Sequence, residues 1–413
     1  MKAGVVAVSV VTDPGVTATA LAFVAAGVGL GTLSGLTPGL HANNFALLLA
    51  AAVPAVPGPP RFVGAAMLAA GVVHTFLDVV PALALGVPDP AMAPSALPGH
   101  RLVLQGRGRE ALRLSALGSG LAVAAAVPLA LPVTAVMERA YPVIEAHLSV
   151  VLGGVALGLV VTERDTRARI GATVALGASG ALGVATLDVP TGGLAAGGSL
   201  APLFAGLFGA PVLIDALDGE GVPPQAGPEV TTTRRFVGGT ALVGSLSGAI
   251  VGYLPGVSSA IAATGALTLL STRGPRAYVV VTSGVNTSNT IFALAALVAL
   301  GDPRTGVLVA LDGAGVPLNL PVLVASIALA AAAGFGLVIY AGDRYLVAAG
   351  TVDQTVLSLG VLGLLCVIIT LLAGLAGLGI LAASTVVGLV PARMGARRAN
   401  LMGVLLVPLA LGP

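Results

Sequence analysis

The chain has 413 residues, of which 56% are hydrophobic and only 9% are charged. Soluble domains carry about 25% charged residues, so this composition excludes a soluble globular protein and indicates a polytopic membrane protein. The 19 basic and 17 acidic residues nearly cancel, which gives no indication of a nucleic-acid partner. We therefore expect an all-α, multi-pass protein of the cell membrane.

Apolar segments long enough for membrane helices follow one another along the chain, since one span needs about 20 apolar residues. Those of the first half lie near 16–36, 40–57, 62–86, 113–135, 146–162, 170–188 and 196–214. Those of the second half lie near 236–254, 257–272, 277–300, 316–341, 354–373, 375–391 and 399–412. The predicted organisation is a first membrane repeat over 1–215, a polar cytoplasmic linker over 216–235 and a second membrane repeat over 236–413.

The order of these segments predicts two repeats of inverted topology. Each half starts with two segments joined by Pro-Gly, either re-entrant or fully spanning, and continues with five single spans, giving 10 spans plus two hairpins, or up to 14 segments. Five crossings are an odd number, so the second half starts on the opposite side of the membrane, as in many secondary transporters.

The basic residues agree with this topology, because Lys and Arg collect in cytoplasmic loops. Clusters near 101–113, 164–169, 234–235, 273–276 and 393–398 fall inside, together with Arg344. Only Lys2, Arg61, Arg139 and Arg304 fall outside.

The pattern GxxxGxxPG occurs once in each half, over Gly31–Gly39 and Gly248–Gly256. Its glycines indicate close helix packing, and Pro-Gly indicates an interrupted helix. Backbone groups bared in this way are tolerated in a membrane only inside protein or beside a watery cavity. The first amides of the following helix favour an anion. We predict a midplane site formed by two opposed helix ends. Such a site would hold an anion without needing a buried Arg or Lys, since no basic residue is predicted inside any span; a plain turn between packed helices is the alternative.

Candidate substrate-binding residues lie at both interruptions and on the span after the second. They are Thr37, Pro38, Gly39, His41, Asn43 and Asn44 at the first, Pro255, Gly256, Ser258 and Ser259 at the second, and Asn286, Thr287 and Asn289 on the span. On the corresponding first-half span, His74 and Asp78 are four residues apart and share a helix face. Ionisable groups inside a membrane are costly and usually functional, so this pair is the candidate for coupling to H⁺ or Na⁺. A purely structural hydrogen-bonding role is the alternative for both sets.

Nothing in the sequence indicates an enzyme. The patterns HExxH and GxSxG are absent, and the four histidines are scattered. No catalytic residue, cofactor or metal site is therefore predicted.

Several motifs together resemble one known family. The segment GTLSGLTPGLHANN at 31–44 resembles the signature of the large membrane subunit of tripartite tricarboxylate transporters, the TctA (DUF112) family, and in particular its archaeal branch. The motifs HTFLD at 74–78, LPGHR at 97–101 and GYLPG at 252–256 follow in the same order. This resemblance implies a permease of two related halves that moves citrate-like carboxylates with an ion gradient. It also implies two partners, a small membrane subunit and an extracytoplasmic binding protein.

A second resemblance covers the second interruption alone. The segment PGVSS at 255–259 is similar to the core of the DUF368 family, which is implicated in moving polyprenyl phosphate carrier lipids. It implies an alternative function as a translocase for such lipids, with Arg101, Arg107 or Arg109 near the head-group plane. The leading hypothesis is a secondary-type permease for small organic anions that works by alternating access.

Overall fold

The computed structural model describes residues 13–38, 40, 42–86, 93–193, 198–217, 222–254, 256–269 and 274–412, and this part of the chain is helical without any β-strand. The helices of the first half are α1 (Pro14–Leu36), α2 (Ala42–Ala52), α3 (Pro60–Leu77), α4 (Val79–Leu85), α5 (Ala93–Leu104), α6 (Gly108–Ala146), α7 (Leu148–Val161), α8 (Thr166–Thr186), α9 (Leu200–Phe204) and α10 (Ala210–Asp215). Those of the second half are α11 (Arg234–Tyr253), α12 (Ser259–Leu269), α13 (Pro275–Leu300), α14 (Gly306–Gly313), α15 (Leu320–Thr351), α16 (Gln354–Met394) and α17 (Gly403–Leu411). Each predicted apolar segment overlaps one or two of these helices where the chain is described, which confirms the all-α membrane fold.

Eight of the described helices are long and apolar enough to cross a membrane. The longest, α16, has 41 residues but is interrupted at Gly374, where φ is 64° and ψ is −164°. This interruption confirms the boundary predicted between 354–373 and 375–391. Three shorter apolar stretches, Leu148–Val161, Leu200–Asp215 and Arg398–Leu411, match the remaining short predicted spans.

A short helix, α5, lies in the connection between the predicted segments 62–86 and 113–135, where the sequence predicted no span. Its Leu102 and Val103 are buried, and it packs against α4 and α13. Twelve residues are too few to cross a membrane, so hydropathy does not detect this helix. Its His100 donates a hydrogen bond from Nδ1 to the carbonyl oxygen of Leu83 at 2.7 Å. Burial lowers the pKa of His100, and this hydrogen bond acts in the opposite direction.

The helices α3, α4 and α13 form the centre of the molecule and are buried along most of their length. The helix α1 packs along α3, and α11 packs along α13 in the same way. A Cβ atom at Gly31 would overlap the Ala70 carbonyl oxygen, and one at Gly248 would overlap the Ser288 hydroxyl. The glycines thus permit the close packing that the GxxxG pattern predicted. Equivalent contacts in the two halves agree with an internal repeat, whose inverted orientation stays a prediction.

The last helices of the two halves are exchanged. The first-half helices α9 and α10, with the π-helical turn Ala205–Gly209 between them, pack against α16. The second-half helix α17 packs against α7 and α8. Each half is therefore completed by the end of the other.

The segment between the halves is ordered against α6 over residues 222–233. The amide of Gly108 donates to Gln225 Oε1 at 2.7 Å, and the amide of Ala226 donates to the Gly106 carbonyl at 2.7 Å. Glu110, which is 1% exposed, accepts hydrogen bonds from Arg276 at 2.9 and 3.1 Å. These contacts join residues that the predicted topology places on the cytoplasmic side, and so they agree with it.

Candidate functional site

Both motif-bearing helices end at the residue before Pro-Gly. Thr37 closes α1 with φ of −81° and ψ of 113°, and Leu254 closes α11 with φ of −99° and ψ of 117°. The ring of a proline pushes the preceding residue into such an extended conformation, so the sequence itself sets both ends. The chain becomes helical again at Ala42 and Ser259, which confirms an interrupted helix in each half.

The two interruptions border one cavity of about 170 Å³. Ala42, the first residue of α2, lines it from the first interruption. Gly256, Ser258 and Ser259 line it from the second. The interruptions therefore approach one another inside the protein, as the prediction of a shared site requires.

The helix α13 contributes a polar face to this cavity through Asn286 and Asn289. The Asn286 amide donates from Nδ2 to Asp78 Oδ2 at 2.6 Å, which joins the two halves of the chain. The Asn289 amide donates from Nδ2 to the Ser259 hydroxyl at 2.8 Å, which fixes the start of α12. One helix face thus contacts both the buried carboxylate and the second interruption.

Thr287 is turned toward α6 instead. Its hydroxyl donates to the Ser119 hydroxyl at 2.9 Å, and Ser119 in turn donates to the Ser283 carbonyl at 3.1 Å. Ser115 and Ser283 are also joined, with 2.8 Å between their hydroxyl oxygens. This set of small polar side chains fixes α13 to α6, so the structure gives Thr287 a packing environment beside the cavity.

His74 and Asp78 are both buried, at 0% and 5% exposure. The His74 Nδ1 atom lies 2.9 Å from the Ser34 hydroxyl, and its ring stacks on Phe45 with 5.7 Å between ring centroids. The backbone amide of Asp78 donates to the backbone carbonyl of His74 at 2.9 Å, as in a regular helical turn. His74 therefore contacts the helices on both sides of the first interruption, while Asp78 contacts α13.

Part of the predicted site lies outside the described residues: Gly39, His41 and Pro255, together with the side chains of Asn43 and Asn44. Of the remainder, Thr37 donates its hydroxyl to the Leu33 carbonyl at 2.8 Å, and Pro38 is buried. The Ser258 hydroxyl accepts a bond from the Ile261 amide at 3.3 Å and so caps the start of α12.

Arg304 lines the cavity, although the sequence indicated only its place in an outer loop. Its side chain is 6% exposed and pairs with Asp302 at 2.7 Å. The guanidinium carbon lies 4.8 Å from the ring centroid of Tyr141, near the end of α6. The cavity thus contains a basic residue, which comes from a loop and not from one of the predicted spans. Gly301 ends α13 in the left-handed conformation, with φ of 70°, and the loop that follows places Arg304 at the cavity. No sequence signal distinguishes this arginine from Arg61 or Arg139.

A second cavity, of about 510 Å³, lies between α6, α15 and the segment 222–233. Arg109, Arg113 and Arg344 line it together with Asp343 and apolar side chains such as Phe335. Asp343 forms an ion pair with Arg109 at 2.5 Å. The described linings of the two cavities do not overlap. With three arginines and one aspartate, the lining has a net positive charge beside apolar side chains, which suits an amphipathic anion.

Comparison with known proteins gives a family assignment. The model of the tripartite tricarboxylate transporter TctA family matches residues 21–403, a range that includes both interruptions and Arg304. An uncharacterized protein of Methanocaldococcus jannaschii is 26% identical over 307 residues, which cover 74% of this chain and 76% of that protein. No solved structure matches the chain.

Proposed function

Since the chain belongs to the tripartite tricarboxylate transporter TctA family, a family of membrane transport components, we propose that it is a permease for small organic anions. One observation carries the proposal: the interrupted helices of both halves border a single cavity. In membrane transporters, broken helices at equivalent positions of two halves are the best pointer to the binding site. We infer a substrate site at this cavity.

The lining suits an anion. The first amides of a helix lack partners within the helix and carry the positive end of its dipole, so they favour carboxylate oxygens. Both α2 and α12 begin at the cavity, and Ser258, Ser259 and Asn289 add neutral polar groups. Such donors bind a carboxylate without a large desolvation cost of their own, because they carry no full charge.

The cavity volume favours a small acid. Drug-sized ligands fill pockets of about 300–1,000 Å³. At about 170 Å³ the cavity lies below this range, which favours a small organic acid over a polyprenyl chain.

We further propose that the two halves rock about this site to give alternating access, with Asp78 as the ion-coupling group and His74 beside it. Asp78 sits where the halves meet, bonded to Asn286 at 2.6 Å. Binding of H⁺ or Na⁺ at this carboxylate changes the bond that joins the halves, which links ion binding to their relative position. A small membrane subunit and an extracytoplasmic binding protein are the partners that the family implies.

The direct test is counterflow in proteoliposomes. Vesicles holding the purified protein and unlabelled citrate or succinate are expected to accumulate the same labelled acid transiently. Gly256 has φ of 76°, and a Cβ there would lie 2.7 Å from Leu409, so the matched variant Gly256→Leu is expected to lose counterflow. No counterflow by the unmodified protein, under H⁺ and Na⁺ gradients and with the binding protein added, overturns the proposal.

The second cavity favours a second candidate function, translocation of a polyprenyl-phosphate-type lipid. Its arginines and apolar floor match a phosphate head group with its chain. A fluorescent prenyl phosphate in proteoliposomes tests this directly. Protein-dependent movement between leaflets that falls in Arg113→Gln supports it, and movement equal to that of empty vesicles rejects it.

A further inference from the structure

Arg304 is a buried cation whose ion-pair partner is largely exposed to solvent. Its side chain is 6% exposed, yet the partner carboxylate of Asp302 is 49% exposed. A pair with one half-exposed member is screened by solvent and holds its cation weakly. The Arg304 Nε atom is buried and has no hydrogen-bond partner among the described residues. The Nη2 atom donates to the Tyr141 hydroxyl at 2.5 Å as well as pairing with Asp302, so the guanidinium is partly satisfied. A buried Nε–H donor without an acceptor is still costly, and its presence at a cavity calls for an explanation such as a ligand.

The next residue shows the same feature. The Thr305 hydroxyl is buried, has no partner among the described residues and lines the same cavity. Thr305 is the N-cap residue of α14, an eight-residue helix, and its side chain makes no capping bond. An N-cap hydroxyl normally accepts a bond from the first turn of its helix. Here the hydroxyl is left available beside the positive end of the α14 dipole.

We propose that Arg304, the Thr305 hydroxyl and the start of α14 form an anion subsite that binds one carboxylate of the transported acid. This inference rests on the proposed function and names the charged group that selects the substrate. Asn286, Asn289 and Ser259 line the same cavity, and they supply polar groups for the rest of the acid. An acid with two or more carboxylates is therefore bound in preference to one with a single carboxylate.

The binding step exchanges one carboxylate for another. The incoming carboxylate accepts from Arg304 Nε and from the Thr305 hydroxyl, and Asp302 is left to solvent. Because the cavity is more buried than Asp302, the same charge pair is stronger inside it. Asp302 is then a competitor for the guanidinium rather than part of the binding site.

The experiment compares apparent KM values for succinate counterflow in three variants. Arg304→Gln is expected to raise KM about 10- to 100-fold, as for the loss of a charge-assisted hydrogen bond. Asp302→Asn is expected to lower KM, because the competitor is removed. Arg139→Gln, on the exposed outer part of α6, is the matched control and is expected to leave KM unchanged.

The results distinguish failure of the Arg304 subsite from failure of the proposed function. If the unmodified protein shows no counterflow, the proposed function fails. If it shows counterflow but Arg304→Gln keeps the same KM, or if Asp302→Asn raises KM as much as Arg304→Gln, the subsite is overturned, since the ion pair alone then matters.

A binding measurement covers the case in which Arg304→Gln does not fold. The rise in melting temperature of the purified protein with succinate, its monoamide or inorganic phosphate reports binding without transport. We expect succinate to stabilise the unmodified protein more than its monoamide does, and Arg304→Lys to lose this difference. Equal shifts for succinate and its monoamide, or a shift with phosphate alone, overturn the carboxylate subsite.

Discussion

Asp78 is the residue at which burial, charge and position coincide. It is 5% exposed, it follows the last residue of α3, and it accepts a bond from Asn286 of the other half. The sequence could predict its importance, because an ionisable group inside an apolar span stands out. It could not predict the partner, because Asn286 is far away in the chain and looks like several other polar residues of α13.

Replacing Asp78 by Asn keeps an acceptor oxygen for Asn286 but removes the charge. We expect gradient-driven accumulation of substrate to fall at least about tenfold, since a neutral amide does not bind the coupling H⁺ or Na⁺ as a carboxylate does. Counterflow without a gradient is expected to persist. Uptake and counterflow by the same vesicles measure both effects, with Asp188→Asn, at an exposed position, as control. Equal loss in both assays would assign Asp78 a structural role.

Two threonines of α13 provide a matched pair for hydrogen-bond energetics. Both are fully buried, but Thr287 donates to Ser119 whereas the Thr282 hydroxyl has no partner among the described residues. We expect Thr287→Val to lower stability by about 1 kcal/mol and Thr282→Val to leave it unchanged or raise it. Unfolding of the purified protein in detergent measures both. A larger loss in Thr282→Val contradicts the assigned bonds.

The Arg304 subsite marks the limit of sequence inference at this scale. An arginine in a loop indicates topology through its charge, and Arg61, Arg139 and Arg304 are equivalent in that respect. Only the turn at Gly301 and the position of α14 bring Arg304 to the cavity. These depend on contacts between distant segments, which hydropathy does not record.

At the scale of helices, glycine spacing was informative because it is a local pattern with a steric cause. The two GxxxG stretches predicted close packing, and the glycines do face α3 and α13. Helix length was less predictable. The segment 113–135 lies within α6, which has 39 residues and is about 58 Å long, well beyond a hydrocarbon core of about 30 Å. Polar residues near its ends hide this length from a hydropathy scan.

Two glycines of α11 test the packing directly. A Cβ at Gly248 would overlap the Ser288 side chain and lie 3.0 Å from the backbone nitrogen of Asn289. A Cβ at Gly239 would have no neighbour within 4 Å. We expect Gly248→Ala to destabilise by about 1–3 kcal/mol through overpacking and to impair transport by displacing Asn289. Gly239→Ala is expected to be neutral or to stabilise by up to about 1 kcal/mol. The melting temperatures of the two variants test this prediction, and equal values would contradict tight packing at Gly248.

For the whole molecule, the order of the long apolar helices followed from hydropathy, although α5 and α14 did not. The inverted orientation of the halves is the prediction that most needs a test. The exchange of terminal helices was not predictable, because apolar helices of similar composition offer no sequence signal for their neighbours. The same holds for the central position of α3 and α13, since nearly every helix here is apolar.

Cysteine labelling tests the topology. The chain has one cysteine, Cys366, which is exposed and is first replaced by Ala. In that background, Arg139→Cys is expected to react with an impermeant maleimide in intact cells. Arg169→Cys, also exposed, is expected to react only after the cells are permeabilised. Labelling of both positions from outside rules out the predicted arrangement.

The exchange of terminal helices has a consequence for biogenesis. The surface of α7 and α8 that α17 covers is synthesised long before α17 leaves the ribosome, so it must wait in the bilayer, sheltered by lipid or by an insertion factor. Cooperative assembly is thereby postponed until translation is nearly finished. A polypeptide severed between its halves would yield two fragments that mature only by finding each other.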